Sequence, residues 1–154
     1  MWKGAKITAA ILAVAAVAAL IFMMAVARQR VEANNTIFLR ATHLPAHATV
    51  PLGKQLCLVS RSDRELPLDD PNALGPMYVS TEGNRLALLP ANSWLEGASW
   101  LLPDGPDGPG GFFLVSKCFH PFIPGRVTVT AIVSLPTADG GVRINGGEVE
   151  VTVE

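Results

Sequence analysis

Two residues in the run SKCFHPF have types that could do chemistry together, because Cys118 and His120 are separated by a single residue. Thiolate sulfur and imidazole nitrogen are favoured ligands of zinc and copper. Cys118 could instead form a disulfide with Cys57, the other cysteine of the chain. Disulfides persist in oxidising compartments, so the choice depends on the side of a membrane on which this segment lies.

An apolar run at residues 7–27 bears on that choice. It reads ITAAILAVAAVAALIFMMAVA, with no charged residue. As a helix it would extend roughly 31 Å, which matches a bilayer hydrocarbon core of about 30 Å. We predict a transmembrane anchor here, because a soluble core helix would carry a polar face. The alternative is a cleaved signal peptide, with small-x-small sites ending at Ala27 and Ala33.

Flanking charges and the length of the downstream region set the expected topology. Residues 1–6 form a short tail with two lysines, and residues 28–35 form a short spacer. Long domains translocate largely regardless of charge. We therefore expect a single-pass protein with a cytoplasmic N-terminus, and with residues 36–154 as a periplasmic or extracellular domain. The lipid bilayer is its first expected partner.

Small residues recur at four-residue intervals along the anchor. Such spacing allows a second helix to approach closely, which predicts other membrane-protein subunits as partners. The alternative is an alanine-rich anchor that contacts lipid alone. The residues concerned are Ala5, Ala9, Ala13, Ala15 and Ala19.

The region after the spacer has the pattern of short strands. All 12 prolines of the chain fall here. Residues 126–135 and 148–154 alternate apolar and polar side chains, which is typical of a sheet with one buried face. Further strands are predicted at 36–42, 55–60, 77–80, 85–89 and 112–118, with turns at Asp139-Gly140 and Asn145-Gly146. Residues 93–101 are predicted as one short turn capped by Ser93.

The fold class that follows is mainly β, with one N-terminal transmembrane helix and a small antiparallel β-sandwich or barrel. A separation of 61 residues between Cys57 and Cys118 would suit an immunoglobulin domain. The sequence departs from that family, however, because Ser116 stands two places before the second cysteine where a tyrosine is expected. An immunoglobulin-like architecture is therefore predicted without membership of the family.

Export predicts that Cys57 and Cys118 pair. The alternative is an extracytoplasmic metal site, with Cys118 and His120 joined by His43 or His47. Pro45 disfavours a helix that would bring those two histidines to one face. The run CFHPF is similar to the copper loop of cupredoxins in placing a histidine after a cysteine near a strand end. Those loops, however, have at least two residues between the two ligands, and this chain has one.

Motifs for catalysis are lacking in the sequence, so we predict that the protein is not an enzyme and needs no cofactor. A net charge of −1 and the scattered basic residues do not favour nucleic acid as a partner. The interpretation that remains is an accessory or scaffolding subunit that docks on a larger membrane complex. A secreted binding module, released by signal cleavage, is the other alternative. Aromatic residues at Trp94, Trp100, Phe112 and Phe113 form either a partner surface or the sandwich core.

Overall fold

Two compact units make up the chain, and the division falls between Asn34 and Asn35. The computed structural model describes residues 2–61, 77–102, 111–136 and 139–154. The first unit is a helix, and the second is built of strands.

Helix α1, Trp2–Asn34, forms the first unit. Its portion Lys6–Asn34 covers 29 residues with a mean hydropathy of 2.8, which is the composition of a membrane span or a signal anchor. It is the one helix of this kind in the part of the chain that the structure describes. None of its most apolar stretch is buried within the chain. Residues 28–34, predicted as a spacer, continue the same helix.

Nine strands in the described ranges form the second unit, a small β-sandwich. The first sheet has the order β1-β3-β7-β5, with β6 also paired to β7, and the second has the order β2-β9-β8-β4. The strands are β1 Thr36–Arg40, β2 His47–Val50, β3 Gln55–Arg61, β4 Met77–Gly83, β5 Leu88–Pro90, β6 Ser99–Leu102, β7 Gly111–Pro121, β8 Gly125–Pro136 and β9 Val142–Val153.

The core lies between the two sheets and follows from the alternation in the sequence. Over residues 127–133 of β8 and 149–153 of β9 every second residue is buried, and the residues between them are more exposed. The predicted mainly-β fold with a small sandwich is therefore confirmed. The largest group of buried side chains comprises Ala41, Val50, Leu56, Leu58, Ala87, Leu88, Phe119, Val127, Val129, Ala131, Val133, Val149, Val151 and Val153.

Two pairs of strands run parallel, a detail that the antiparallel prediction did not contain. Strand β1 pairs parallel with β3, and β2 pairs parallel with β9. Both β1 and β2 lie at the edge of their sheet. The other strand pairs, β3 with β7 among them, are antiparallel, so the alternation argument for the core is unaffected.

The hairpin turn predicted at Asn145-Gly146 is wrong, because strand β9 runs through both residues. Gly146 has no positive φ angle and pairs with Ile132 on β8. A Cβ atom on Gly146 would lie 3.0 Å from the carbonyl oxygen of Ala131. The glycine therefore permits close approach of two strands. Gly140, by contrast, has φ of +82°, as the predicted Asp139-Gly140 turn requires.

Candidate functional site

Cys57 and Cys118 lie directly opposite each other on β3 and β7 and form a disulfide, as predicted. Their Cα atoms are 4.1 Å apart, and neither residue is exposed to solvent. Leu56 and Phe119, their neighbours along the strands, belong to the main core. Successive strand residues point to opposite faces, so the disulfide lies on the other face of the first sheet.

Residues 91–98, here named the covering segment, join β5 to β6 and lie over this face. Both of those strands pair with β7, and the covering segment continues the contact between them by backbone hydrogen bonds. The N–H of Ala91 donates to the carbonyl of Cys118 at 3.0 Å, and the N–H of Gly97 donates to Val115 at 2.7 Å. Leu95, in the middle of the segment, is completely buried. The covering segment therefore continues the hydrogen bonding along β7, and Leu95 is buried together with both cysteines.

Polar side chains complete the surroundings of the disulfide. The Gln55 amide donates to Cys57 Sγ at 3.3 Å and to Ser93 Oγ at 2.7 Å. Ser93 Oγ accepts from the N–H of Leu95, which is the capping role predicted for Ser93. The carboxylate of Glu96 accepts from the N–H of Cys118 at 2.8 Å. These bonds fix the covering segment onto the two cysteine-bearing strands.

This arrangement gives a shielded structural disulfide. A thiolate must reach a sulfur atom in order to exchange with it, and both cysteines of this pair are completely buried. The sequence predicts the cysteine pair and the Ser93 cap, but not the roles of Gln55 and Glu96. The turn predicted at 93–101 is also too long, because β6 begins at Ser99. The roles of Gln55 and Glu96 depend on the pairing of β7 with two separate short strands, β5 and β6. No local pattern in the sequence predicts that pairing.

Cys118 cannot be a ligand of the alternative metal site, because it is in a disulfide and has no thiolate. His120 lies on an exposed part of β7. His43 Nδ1 lies 3.0 Å from Thr42 Oγ1, whereas His47 Nδ1 lies 3.4 Å from Glu150 Oε1. Within the described residues, no three His, Cys, Asp or Glu side chains come together as a metal site.

The four aromatic residues suggested as a partner surface differ in position and in burial. Phe113 is buried, and the Arg40 guanidinium lies 4.8 Å from the centre of its ring, so Phe113 is a core residue. Trp94 lies in the covering segment and is half exposed. Trp100 and Phe112 are on β6 and β7, and their side chains lie outside the described part of the structure.

The small residues of α1 lie on different sides of the helix. Ala13 lines a shallow apolar groove together with Val14, Val17, Ala18 and Ile21. At about 100° per residue, Ala15 lies about 160° and Ala19 about 120° around the helix from Ala13. Ala9 is exposed, and the side chain of Ala5 is outside the described part. The two series of alanines, Ala5-Ala9-Ala13 and Ala15-Ala19, therefore follow separate lines along the helix.

Comparison with known proteins assigns no family. No protein-family model matches the sequence, and no curated protein matches it. Among solved structures, the chain is similar to the crystal structure of a cysteine protease inhibitor from Entamoeba histolytica, with 9% identity and a TM-score of 0.42. The similarity covers 77% of this chain and 95% of the inhibitor. It is too weak to carry the inhibitor's activity over to this chain.

Proposed function

We propose that the protein is a non-catalytic, membrane-anchored accessory or scaffolding subunit that docks on a larger membrane complex. The observation that carries the proposal is the exposure of helix α1, whose most apolar stretch is not buried against any described part of the chain. Residues such as Val14, Val17 and Phe22 are more than half exposed. Exposed apolar surface of this extent requires lipid or protein around it.

The groove on α1 supports a protein partner in addition to lipid. Small side chains at Ala13 and Ala18 leave room between larger neighbours, and a second helix can approach closely at such a place. The sandwich contributes a rigid domain on the far side of the membrane, stapled by the Cys57–Cys118 disulfide. A disulfide of this kind fits an oxidising compartment, which is the reason for proposing an extracytoplasmic domain.

Extraction in a mild detergent, followed by native mass measurement, tests the proposal. We expect the chain, of 16.3 kDa, to run within a larger assembly. The double variant A13L/A18L fills the groove and should release the chain from that assembly. The control A19L adds the same side chain at a position about 100° or more around the helix from both Ala13 and Ala18, and should leave the assembly intact.

A wild-type chain that runs alone as a monomer would contradict the subunit proposal. N-terminal sequencing of the mature protein distinguishes the membrane-anchored subunit from the secreted binding module. A mature protein that starts at Arg28 or Asn34 would have lost the anchor.

A further inference from the structure

Of the seven large apolar side chains that are exposed in the described part of the sandwich, three lie at the end where its chain begins. Asn35, the first residue of this unit, donates from its side-chain amide to the carbonyl of Gly53 at 3.2 Å, and its own carbonyl accepts from the N–H of Gln55. The loop that joins β2 to β3 therefore lies beside Asn35. At its tip, Leu52 is 45% exposed.

Two further loops lie at this same end. The loop between β4 and β5 carries Leu86, and the loop between β7 and β8 carries Phe122, and these side chains are 59% and 61% exposed. The N–H of Phe122 donates to the carbonyl of Ala87 at 2.9 Å, so the two loops are in contact. Strand β8 then begins at Gly125, which pairs with Val153 at the end of β9.

The β2–β3 loop is tied to that end of β9. The N–H of Leu52 donates to the carbonyl of Glu154 at 2.7 Å, and Val50 pairs with Val153. The three apolar tips, Leu52, Leu86 and Phe122, thus share one end of the sandwich with Asn35. We name this end, with its three loops, the entry end.

Basic residues accompany the apolar tips. Lys54 follows Leu52, Arg85 precedes Leu86, and Arg126 lies just beyond the loop of Phe122; all three are exposed. Acidic residues near the entry end are Glu82 and Glu154. Exposed apolar side chains interleaved with lysine and arginine are typical of surfaces that bind the interface of an anionic bilayer.

The connection to α1 is short. The apolar run ends at Ala27, and only residues 28–34 separate it from Asn35. These residues are helical and extend roughly 10 Å. A connection of that length is short enough for the sandwich to reach the headgroup layer of a membrane in which residues 7–27 are inserted.

We propose that the entry end is a second membrane-binding site, in which Leu52, Leu86 and Phe122 insert into the bilayer interface while Lys54, Arg85 and Arg126 contact anionic headgroups. The site rests on the retention of α1 in the membrane, as proposed above, and adds a lipid contact for the sandwich itself. Its occupant is an anionic lipid surface.

Fluorescence quenching in lipid nanodiscs tests this site in the full-length chain. The discs contain phosphatidylcholine with phosphatidylserine, and the quencher is phosphatidylcholine brominated on its acyl chains. Phe122→Trp and Leu86→Trp place probes at the entry end. Tyr78→Trp is the matched control, because Tyr78 is 64% exposed and lies five residues before Gly83 on β4, roughly 17 Å from the entry end. The wild-type signal is subtracted from each.

We expect the probes at positions 86 and 122 to be quenched severalfold more strongly than the probe at position 78. Removal of phosphatidylserine, or the triple variant K54Q/R85Q/R126Q, should lower that quenching. Equal quenching at all three positions overturns the lipid site. If quenching is the same without phosphatidylserine and in the triple variant, the proposed contact with anionic headgroups is overturned. Alkaline carbonate extraction of the same chain reports retention of α1, so a failure of the anchor is distinguished from a failure of this site.

Discussion

The carboxylate of Glu96 accepts a hydrogen bond of 2.8 Å from the backbone N–H of Cys118, on the strand that carries half of the disulfide. One side chain thus fixes the covering segment to the most enclosed part of the first sheet. Because Cys118 is completely buried, water cannot replace this acceptor without a rearrangement of the covering segment.

Replacement of that acceptor should destabilise the sandwich. We expect Glu96→Ala to lower the free energy of unfolding by about 1–3 kcal/mol, because a buried N–H loses its partner. Glu96→Gln retains a carbonyl oxygen and should cost less. Urea unfolding of the full chain in detergent, followed by tryptophan fluorescence, measures both. Glu82→Ala removes an exposed carboxylate from edge strand β4 and is the control; a loss as large as that of Glu96→Ala would contradict the assignment.

Removal of the disulfide should have a larger effect. The double variant C57A/C118A opens a long covalent loop, and the chain-entropy model gives a loss of about 4 kcal/mol for a loop of this length. The same denaturant experiment measures it, with the wild-type chain in the presence of a dithiol for comparison. Mass spectrometry confirms that the wild-type chain is fully reduced. If its free energy of unfolding is then unchanged, the disulfide does not stabilise the fold significantly.

The adjacent glycines of β9 make a matched pair. Gly146→Ala would bring a Cβ to 3.0 Å from the backbone oxygen of Ala131, so β8 must shift slightly away from β9, and we expect a loss of about 1 kcal/mol. Gly147→Ala meets only the Leu44 side chain at 3.4 Å, an ordinary contact. It should be neutral or slightly stabilising, because alanine restricts the unfolded chain. Thermal unfolding of both variants distinguishes them, and equal losses would show that strand spacing is not the cause.

Topology gives a prediction independent of stability. If α1 is retained with its N-terminus in the cytoplasm, the sandwich lies on the opposite side of the membrane. A protease added to sealed inside-out vesicles should then leave residues 35–154 intact, and detergent should make them accessible. Accessibility of a label at position 154 from the cytoplasmic side of intact membranes would contradict this orientation and the oxidising environment inferred from it.

Local patterns in the sequence were sufficient for much of the fold. The valines of 126–135 and 149–153 alternate strictly, so the strands that form most of the core were predictable, as was the apolar helix. Strand β2, His47–Val50, is not predicted from the sequence, because it has only four residues and only Val50 among them is buried. Its strand character comes from pairing with β9 at the other end of the sequence.

The candidate site was predictable only in part. A count of two cysteines, together with export, predicted the disulfide, but the covering segment depends on how β7 divides its partners between β5 and β6. The turn predicted at Asn145-Gly146 is wrong for a related reason. Glycine serves both tight turns and close strand contacts, and only the position of β8 shows which applies.

The position of β9 between β2 and β8 has a consequence for the way the protein matures. Strand β2 emerges about a hundred residues before the partner that it needs, and such distant pairings form late and slowly. During synthesis the second sheet therefore stays open along β2 and β8, while both cysteines have already been made. We expect cross-linking of the first sheet to precede closure of the second, which leaves an interval in which a chaperone could hold the open edges.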